Sequence, residues 1–472
     1  MIEYGIVEIR EKIKNKEFSS EEVTRAYIDE IKKSQVNAVI EIFDDAISQA
    51  QEMDKKIENG FCGKLAGVPI LVKDNILIKG KHASAGSKML KDYIAEYTST
   101  VAKKLLDEGA VILGRANMDE FAMGSGTETS FYGKTLNPFD HIRVPGGSSG
   151  GSACAVASNL CAGALGTDTG GSIRQPSAYC GCVGMKPTYG RVSRFGVIAF
   201  ASSLDQVGPI TKNVEDNALL LKVLSGEDEH DETARKIPVE DYSKYLGKDV
   251  KGLKVGVVKT ITTLTHGLDI EKSYLDAIEF LKNNGAEIVD IDIPNIDLSL
   301  PIYYIIAPAE ATSNLARYDG VKYTMRSKDA KNLEEIYTKT RTEGFGKEVK
   351  RRIMLGNYVL SSGYFDAYYN KAKSLQGKLK RQFESVFEKC DVIITPTAKG
   401  EAFKIGEKAN PVDAYKEDIF TVSANIVGVP AISVPYGKGS NGLPMGLQFL
   451  AKPFDEGKLY QVADFIEKKK GE

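Results

Sequence analysis

The sequence predicts an α/β fold in which helices flank a β-sheet. Helical and β-rich segments alternate along most of the chain, which is the pattern of sheets covered by helices. With 472 residues, 42% of them hydrophobic and 27% charged, the chain is long enough for one large core or for two to three smaller ones. Glycine is enriched, at 45 residues, and this enrichment predicts tight turns and close backbone approaches.

The first predicted elements are a helix, a strand and a helix–strand pair. Residues 19–34 open with Ser19 and Glu22 at capping-box spacing, and apolar side chains follow at helical intervals. Residues 65–73 are a short, β-rich apolar run that predicts a strand. Residues 101–115 predict a helix that ends at Gly109 and leads into a buried strand.

The second half of the chain repeats this alternation. Strands are predicted within residues 252–259, 286–294 and 391–397, and helices over residues 270–284 and 370–389. Each helix again stands beside a strand in the sequence. A sheet flanked by helices is therefore predicted here as well.

One charged segment separates the two halves. Residues 226–250 are poor in large apolar side chains, which predicts a surface excursion that is either a domain boundary or a long loop. We expect one large domain with three regions: an N-terminal helical region (1–60), a core (61–225) and a remainder (226–472).

Composition and charge exclude several classes of protein. Lys and Arg number 62 and Asp and Glu 64, so the net charge is −2, which does not suit a general polyanion binder. The N-terminal residues lack the apolar stretch of a signal peptide, and no segment has the length and apolar character of a transmembrane span. The six cysteines show no CxxC spacing, so we expect buried free thiols in a reducing compartment rather than disulfides or zinc ligands.

Residues 146–172 form the most unusual segment of the chain. Gly and Ser occupy 13 of its 27 positions, and residues 146–167 contain no Asp, Glu, Lys or Arg. Neither of its Gly-Ser loops is followed by the lysine of a phosphate-binding loop. The glycines and serines could simply allow close packing and helix capping, but two such loops together favour an oxyanion hole beside a serine nucleophile.

A serine nucleophile needs a base, and the sequence offers a lysine rather than a histidine. None of the four histidines stands in a setting that resembles a Ser-His-Asp triad. Lys73 ends an apolar run, where burial would disfavour its charge and allow it to act as a base. The alternative for Lys73 is an ion pair with Asp74.

Three motifs give the segment a family resemblance. The chain contains VKDN at 72–75, GGSSGGSA at 146–153 and DTGGSIRQPSAYCG at 168–181, and together they resemble the signature of the amidase signature family. The resemblance implies a large, mixed but mostly parallel β-sheet covered by helices on both faces. It also implies hydrolysis of amides by a Ser–cis-Ser–Lys triad.

The resemblance assigns roles to individual residues. Ser172 would be the nucleophile, and Ser148, after a cis peptide bond from Gly147, would be the bridging serine. Lys73 would be the base that draws a proton through Ser148. The oxyanion hole would be built from consecutive backbone N–H groups, those of Thr169, Gly170, Gly171 and Ser172.

Four further segments are similar to the family of A subunits of glutamyl-tRNA(Gln) amidotransferases; they are residues 117–141, 184–210, 350–369 and 418–437. In that family the A subunit hydrolyses glutamine and the B subunit uses ATP to aminate misacylated Glu-tRNA(Gln). A small C subunit ties the two together. The resemblance thus implies B and C partner subunits, tRNA contact mainly through B, and a cytoplasmic location. It implies no metal or cofactor on this chain, with ATP and Mg²⁺ on the partner.

Glutamine sets a test for this second resemblance, because its head group needs one cation and one anion in the site. The resemblance gives the carboxylate to Arg352 and the ammonium to Asp418, with Tyr303 and Ser125 as wall residues. Arg351 could replace Arg352 if the alignment shifts by one residue. The alternative for Arg352 is a solvent-facing charge on a helix.

Two other functions remain open from the sequence. A stand-alone amidase of small or fatty amides would share the triad but lack the Arg/Asp pair, and a non-catalytic scaffold would share only the fold. The presence of Lys73, Ser148 and Ser172 argues against the scaffold. The sequence leaves open whether Asp-tRNA(Asn) is also a substrate.

Overall fold

The computed structural model describes residues 1–470, which form an eleven-stranded β-sheet and sixteen α-helices. The strands are β1 (Val39–Ile42), β2 (Pro69–Lys73), β3 (Val111–Ala116), β4 (Gly163–Asp168), β5 (Val183–Lys186), β6 (Gln206–Thr211), β7 (Lys254–Val258), β8 (Glu287–Ile291), β9 (Val392–Pro396), β10 (Ala431–Lys438) and β11 (Pro444–Ala451). The helices are α1 (Ile6–Lys14), α2 (Ser20–Lys33), α3 (Ala46–Glu58), α4 (Thr100–Asp107), α5 (Gly150–Ala157), α6 (Arg174–Cys180), α7 (Val214–Leu224), α8 (Lys259–Thr265), α9 (Glu271–Asn283), α10 (Ser299–Asn314), α11 (Leu333–Gly344), α12 (Lys347–Leu360), α13 (Lys371–Val386), α14 (Pro411–Tyr415), α15 (Val422–Val427) and α16 (Glu456–Lys470).

The sheet confirms the α/β fold but corrects the expected strand directions. The strand order is β1-β3-β2-β4-β6-β5-β10-β11-β9-β7-β8. Within the described residues, parallel pairs occur only between β2 and its neighbours β3 and β4 and between β7 and its neighbours β8 and β9. The other six pairs are antiparallel, so the prediction of a mostly parallel sheet is wrong.

The reason lies in the short connections of the central strands. Only residues 439–443 join β10 to β11, and a parallel neighbour would require a crossover of about a dozen residues or more. The two strands therefore pair as a hairpin, and their other neighbours β5 and β9 run antiparallel to them as well. Helix–strand alternation predicts the parallel groups at the two flanks and misses this centre.

The strongest local predictions are confirmed. Ser19 and Glu22 form both hydrogen bonds of a capping box at the start of α2. Gly109 follows α4 with φ +87°, where glycine is favoured, and β3 comes next. Residues 226–250 contain a single 3₁₀ turn and no strand.

Helices pack on both faces of the sheet. A Cβ at Gly184 on β5 would collide with Ser177 of α6, whereas Asn217 of α7 bonds the Thr211 hydroxyl on β6. Thr211 pairs with Val183, the strand residue before Gly184. Since consecutive strand residues point to opposite faces, α6 and α7 lie on opposite sides.

The environment of the cysteines also agrees with the sequence. All six are free thiols; Cys62 is exposed and the other five are buried.

Strands from all three predicted regions hydrogen-bond in the one sheet. Within residues 1–470, no helix combines the length and the apolar character needed to cross a bilayer.

The parallel pair β2–β4 places the site. Its register aligns Ile70 with Gly163 and Val72 with Leu165, so both strands end at the same edge of the sheet. Lys73 is the last residue of β2, and the loop after β4 begins beyond Asp168. The two loops singled out by the sequence therefore meet at Lys73.

Candidate active site

Lys73 is fully buried, and its amine is surrounded by hydroxyl groups. Its Nζ lies 2.8 Å from Ser148 Oγ, 2.9 Å from Ser149 Oγ and 2.8 Å from Thr167 Oγ1. Burial lowers the pKa of Lys73 to about 7, although the charges of Asp119, Asp168 and Asp205 act in the opposite direction. The amine is therefore available as a base near neutral pH.

Asp74 does not pair with Lys73, so the alternative interpretation of this lysine is wrong. The Asp74 carboxylate accepts hydrogen bonds from Arg115 Nη1 at 2.5 Å and from the N–H of Gly86 at 2.8 Å. The hydroxyl of Ser84 also donates to it. Because Arg115 provides the counter-charge, Lys73 is left to the serine loops.

The two serine loops contact each other directly. The peptide bond between Gly147 and Ser148 is cis, as predicted, and the N–H of Ser149 donates to the carbonyl of Ser172 at 3.1 Å. Ser172 is slightly exposed, and within residues 1–470 no group is hydrogen-bonded to its Oγ. Among the described residues the Ser172 hydroxyl therefore has no hydrogen-bond partner, and 8% of the residue is exposed.

Asp168 organises the loop that carries Ser172. Its carboxylate accepts hydrogen bonds from the N–H groups of Gly171 and Ile173 and pairs with the buried Arg174 at 3.0 Å. Burial alone would raise the pKa of Asp168, but Arg174 holds that pKa well below its usual range. The carboxylate is therefore charged and fixes the backbone around Ser172, the predicted nucleophile.

This arrangement gives Gly171 a different role from the predicted one. Its N–H already donates to Asp168 at 2.8 Å, so the amide is not free for an oxyanion. Gly171 instead has φ +131°, and a Cβ would lie 2.3 Å from Thr421 Oγ1. Glycine is required here for the backbone conformation and for the close approach of Thr421.

The remaining amides suit the predicted oxyanion hole. Among residues 1–470, no acceptor pairs with the backbone N–H of Thr169, Gly170 or Ser172. The Thr169 hydroxyl donates to buried Asp205 at 2.7 Å, which fixes the start of the loop. The ring of Tyr303 lies so close to Gly170 that a Cβ there would be 2.7 Å away.

Asp418 is buried and has two hydroxyl partners. Ser125 donates to one carboxylate oxygen at 3.0 Å, and Tyr304 donates to the other at 2.7 Å. Burial raises the pKa of Asp418 to about 6. The group is thus an anion at neutral pH, held in a setting that favours a cationic partner.

Arg352 is the buried arginine of its pair, which separates it from Arg351. Its side chain is 4% exposed and that of Arg351 is 37% exposed, although both bond Glu348. The guanidinium carbon of Arg352 lies 5.4 Å from the ring centre of Tyr304 and 5.2 Å from that of Tyr415. The structure therefore contradicts the interpretation of Arg352 as a solvent-facing charge.

These groups border a cavity of about 240 Å³, with a lining that includes Ser125, Glu348, Arg352 and Tyr415. Arg352 and the predicted wall residue Ser125 line this cavity, the head-group cavity, directly, and Asp418 bonds Ser125. The cavity carries both signs of charge. That combination suits a zwitterionic ligand.

Three aromatic or acidic residues of this site escaped sequence analysis: Tyr304, Tyr415 and Glu348. Tyr304 follows Tyr303 on α10, and successive helical residues point about 100° apart. Tyr303 consequently faces the Gly170 loop while Tyr304 faces Asp418. The adjacent tyrosines in the sequence could have indicated a second site residue beside Tyr303, but only the fold shows which ring contacts which group.

Comparisons with known proteins identify the family of the chain. The profile of the family described as Amidase matches residues 22–460. The chain belongs to the amidase family. A similar amidase-family structure is the peptide amidase of Stenotrophomonas maltophilia, with a TM-score of 0.83 and 28% identity over 99% of this chain and 97% of that one.

Similar members of the amidase family include A subunits of glutamyl-tRNA(Gln) amidotransferases. The chain is 53% identical to the A subunit of the glutamyl-tRNA(Gln) amidotransferase of Thermoanaerobacter pseudethanolicus, over 98% of this chain and 95% of the relative. It is 50% identical to the corresponding protein of Staphylococcus haemolyticus, over 98% of this chain and 96% of the relative. The crystal structure of the corresponding protein of Thermotoga maritima has a TM-score of 0.83 and 40% identity, covering 99% of this chain and 95% of that one.

Proposed function

We propose that this chain is the glutamine-hydrolysing A subunit of a glutamyl-tRNA(Gln) amidotransferase. The observation that carries the proposal is a pair of opposite charges: Arg352 lines the cavity, and Asp418 is buried behind its wall, where it accepts a hydrogen bond from Ser125. An amidase of simple amides has no use for that pair, whereas the α-carboxylate and α-ammonium of glutamine require it. The names of the relatives support the same function.

The hydrogen bonds around Lys73 support its role as the base. Ser149 Oγ donates its proton to the carbonyl of Thr167 at 3.0 Å, so it can only accept from Lys73. Thr167 Oγ1 likewise accepts from Lys73 at 2.8 Å. A neutral amine has two protons and one lone pair, and both protons are then used. In the proposed mechanism this lone pair is directed at Ser148 Oγ, 2.8 Å away, and takes the Ser148 proton.

Acylation follows from this arrangement. Ser172 Oγ attacks the side-chain amide carbon of glutamine while its proton passes to Ser148 Oγ, whose own proton passes to Lys73 Nζ. The N–H groups of Thr169, Gly170 and Ser172 stabilise the oxyanion. Collapse breaks the C–N bond, and the proton returns through Ser148 to the leaving nitrogen, which departs as ammonia. A water molecule then hydrolyses the ester by the same proton route and releases glutamate.

The head-group residues hold the other end of glutamine. Arg352 binds the α-carboxylate and Asp418 binds the α-ammonium, while Ser125 and Tyr304 orient the Asp418 oxygens. Tyr303 forms the wall beside Gly170. Recognition and bond cleavage are thus assigned to different residues.

The proposal extends to the assembly. Ammonia released here is consumed on a B subunit, which supplies ATP and Mg²⁺ chemistry and contacts Glu-tRNA(Gln), and a C subunit joins the two in the cytoplasm. The names of the relatives support membership of a larger, multi-subunit enzyme. The chain itself binds no cofactor in this proposal.

The test uses the complex formed by co-expressing this chain with the B and C subunits of its own source. Ammonia release from glutamine is compared with release from propionamide, and Ser172→Ala is the inactive control. We expect kcat/KM for glutamine to exceed that for propionamide by more than about 100-fold, the scale set by a buried charge pair that one substrate uses and the other does not, and Glu-tRNA(Gln) to be amidated with ATP. A preference for propionamide would instead indicate a stand-alone amidase.

A further inference from the structure

Glu120 is a buried carboxylate that the proposed mechanism does not use. Its Oε1 accepts a hydrogen bond from Ser87 Oγ at 2.5 Å, and its Oε2 accepts one from the N–H of Gly346 at 2.8 Å. Only 3% of the residue is exposed. The side chain therefore connects two segments that are more than 200 residues apart in the sequence.

The contact with Gly346 lies at the start of α12. Gly346 is the N-cap of this helix and offers no side chain to bond the first N–H groups. A carboxylate is favoured at this end of a helix, where the dipole is positive. A Cβ at Gly346 would lie 2.2 Å from Glu120 Oε2, so the close approach depends on glycine.

Helix α12 carries the charged residues of the head-group cavity. Glu348 lies two residues after Gly346, and Arg352 Nε donates to Glu348 Oε1 at 2.8 Å. The position of the first turn of α12 therefore sets the position of the guanidinium. A displacement of about 1 Å in such a group can cost about 100-fold in activity.

Asp119, the residue before Glu120, connects the same segment to the serine loop. The N–H of Asp119 donates to the carbonyl of Ser148 at 3.2 Å, so adjacent residues bond the serine loop and α12. We infer that Glu120 is a positioning residue for substrate recognition: by holding the N-terminus of α12, it places Arg352 at the correct distance from the serine loops. This inference rests on the proposed function.

The test compares Glu120→Ala with Glu120→Gln in the complex with the B and C subunits. In Glu120→Gln the side-chain amide oxygen can still accept a hydrogen bond from the N–H of Gly346, and the amide NH₂ can donate to Ser87 Oγ. The Ser87 hydroxyl then donates to the Gly344 carbonyl, 3.5 Å away. We expect Glu120→Ala to raise KM for glutamine about 10- to 100-fold, with kcat and propionamide turnover little changed. Glu120→Gln should stay within about threefold of the wild type.

Three further variants separate positioning from general stability. Ser87→Ala removes one contact of Glu120 but leaves Gly346 bonded, so KM should stay near the wild-type value. Gly346→Ala perturbs the same contact from the helix side and should raise KM as Glu120→Ala does. In an Arg352→Ala background, Glu120→Ala should add no further increase, because the group that it positions is gone.

The outcomes distinguish the inference from the function on which it rests. If the wild-type complex prefers propionamide to glutamine, both the proposed function and the inference are wrong. If it prefers glutamine but Glu120→Ala lowers turnover of both amides equally, or still raises KM without Arg352, the inference alone is overturned. Thermal unfolding of each variant checks that the compared proteins are folded.

Discussion

Replacing Arg352 by alanine should remove glutamine recognition and leave amide cleavage intact. The guanidinium is buried among Tyr304, Tyr415 and Glu348. Within residues 1–470, it forms no hydrogen bond with Lys73 or Ser148. Its removal leaves the α-carboxylate of a bound glutamine without a counter-charge in a buried cavity. The triad keeps all of its partners.

The size of the effect follows from the burial. Truncation of one partner of a buried, hydrogen-bonded charge pair costs about 2 to 5 kcal/mol, and each 1.4 kcal/mol corresponds to about tenfold in an equilibrium constant. KM for glutamine should therefore rise about 30- to 5000-fold. Because propionamide has no head group, its kcat/KM should change by less than about threefold.

Arg351→Ala is the matched control, because it removes the same side chain one position earlier. Arg351 also bonds Glu348, but its side chain is 37% exposed against 4% for Arg352, and a solvent-exposed ion pair contributes about 0 to 1 kcal/mol. Ammonia release is measured against the concentration of each amide for the wild-type complex and both variants. Equal losses on glutamine and propionamide, or a larger loss from Arg351→Ala, would refute the assignment of the head-group site.

Three further outcomes are expected. Because burial lowers the pKa of Lys73 to about 7 and the base must be unprotonated, kcat/KM for propionamide should rise about tenfold per pH unit below pH 7 and level off above it; a flat profile would exclude Lys73 as the base. Ser172→Ala should abolish glutamine hydrolysis but preserve ammonia-dependent amidation by the complex, and loss of both reactions would show that the two sites are not separate. Lys73→Ala and Ser172→Ala should each lower kcat by several orders of magnitude, and the double variant should be no slower than the slower single one; losses that multiply would contradict a triad.

Local sequence patterns predicted the elements better than their arrangement. The capping box of α2 and the glycine after α4 act within a few residues, so the sequence there determines the structure. Strand direction depends instead on which distant strands pair. The hairpin of β10 and β11 inserts between β5 and β9, and helix–strand alternation carries no information about that insertion.

In the candidate site, too, the parts formed by continuous segments were predictable from the sequence, and the parts formed by distant segments were not. Its serine loops are continuous motifs, so the sequence singled out Ser148 and Ser172 as candidates, and the family resemblance predicted the cis peptide that the structure shows. The head-group cavity brings together residues from α10, α12 and the segment around Asp418, which meet only in the folded protein. The sequence does not distinguish the adjacent Arg351 and Arg352. The fold does, because it buries the side chain of Arg352 and leaves that of Arg351 partly exposed.

Burial and three neighbouring carboxylates act on the pKa of Lys73 in opposite directions. Asp168 is paired with Arg174, and Asp119 accepts hydrogen bonds from the backbone of Thr127, Glu128 and Thr129. Both carboxylates therefore have partners of their own. Burial of the amine outweighs the attraction of Asp119, Asp168 and Asp205, so the pKa of Lys73 falls rather than rises. Asp168 also holds the loop that presents Ser172, the proposed nucleophile, and Arg174 rather than Lys73 provides its counter-charge.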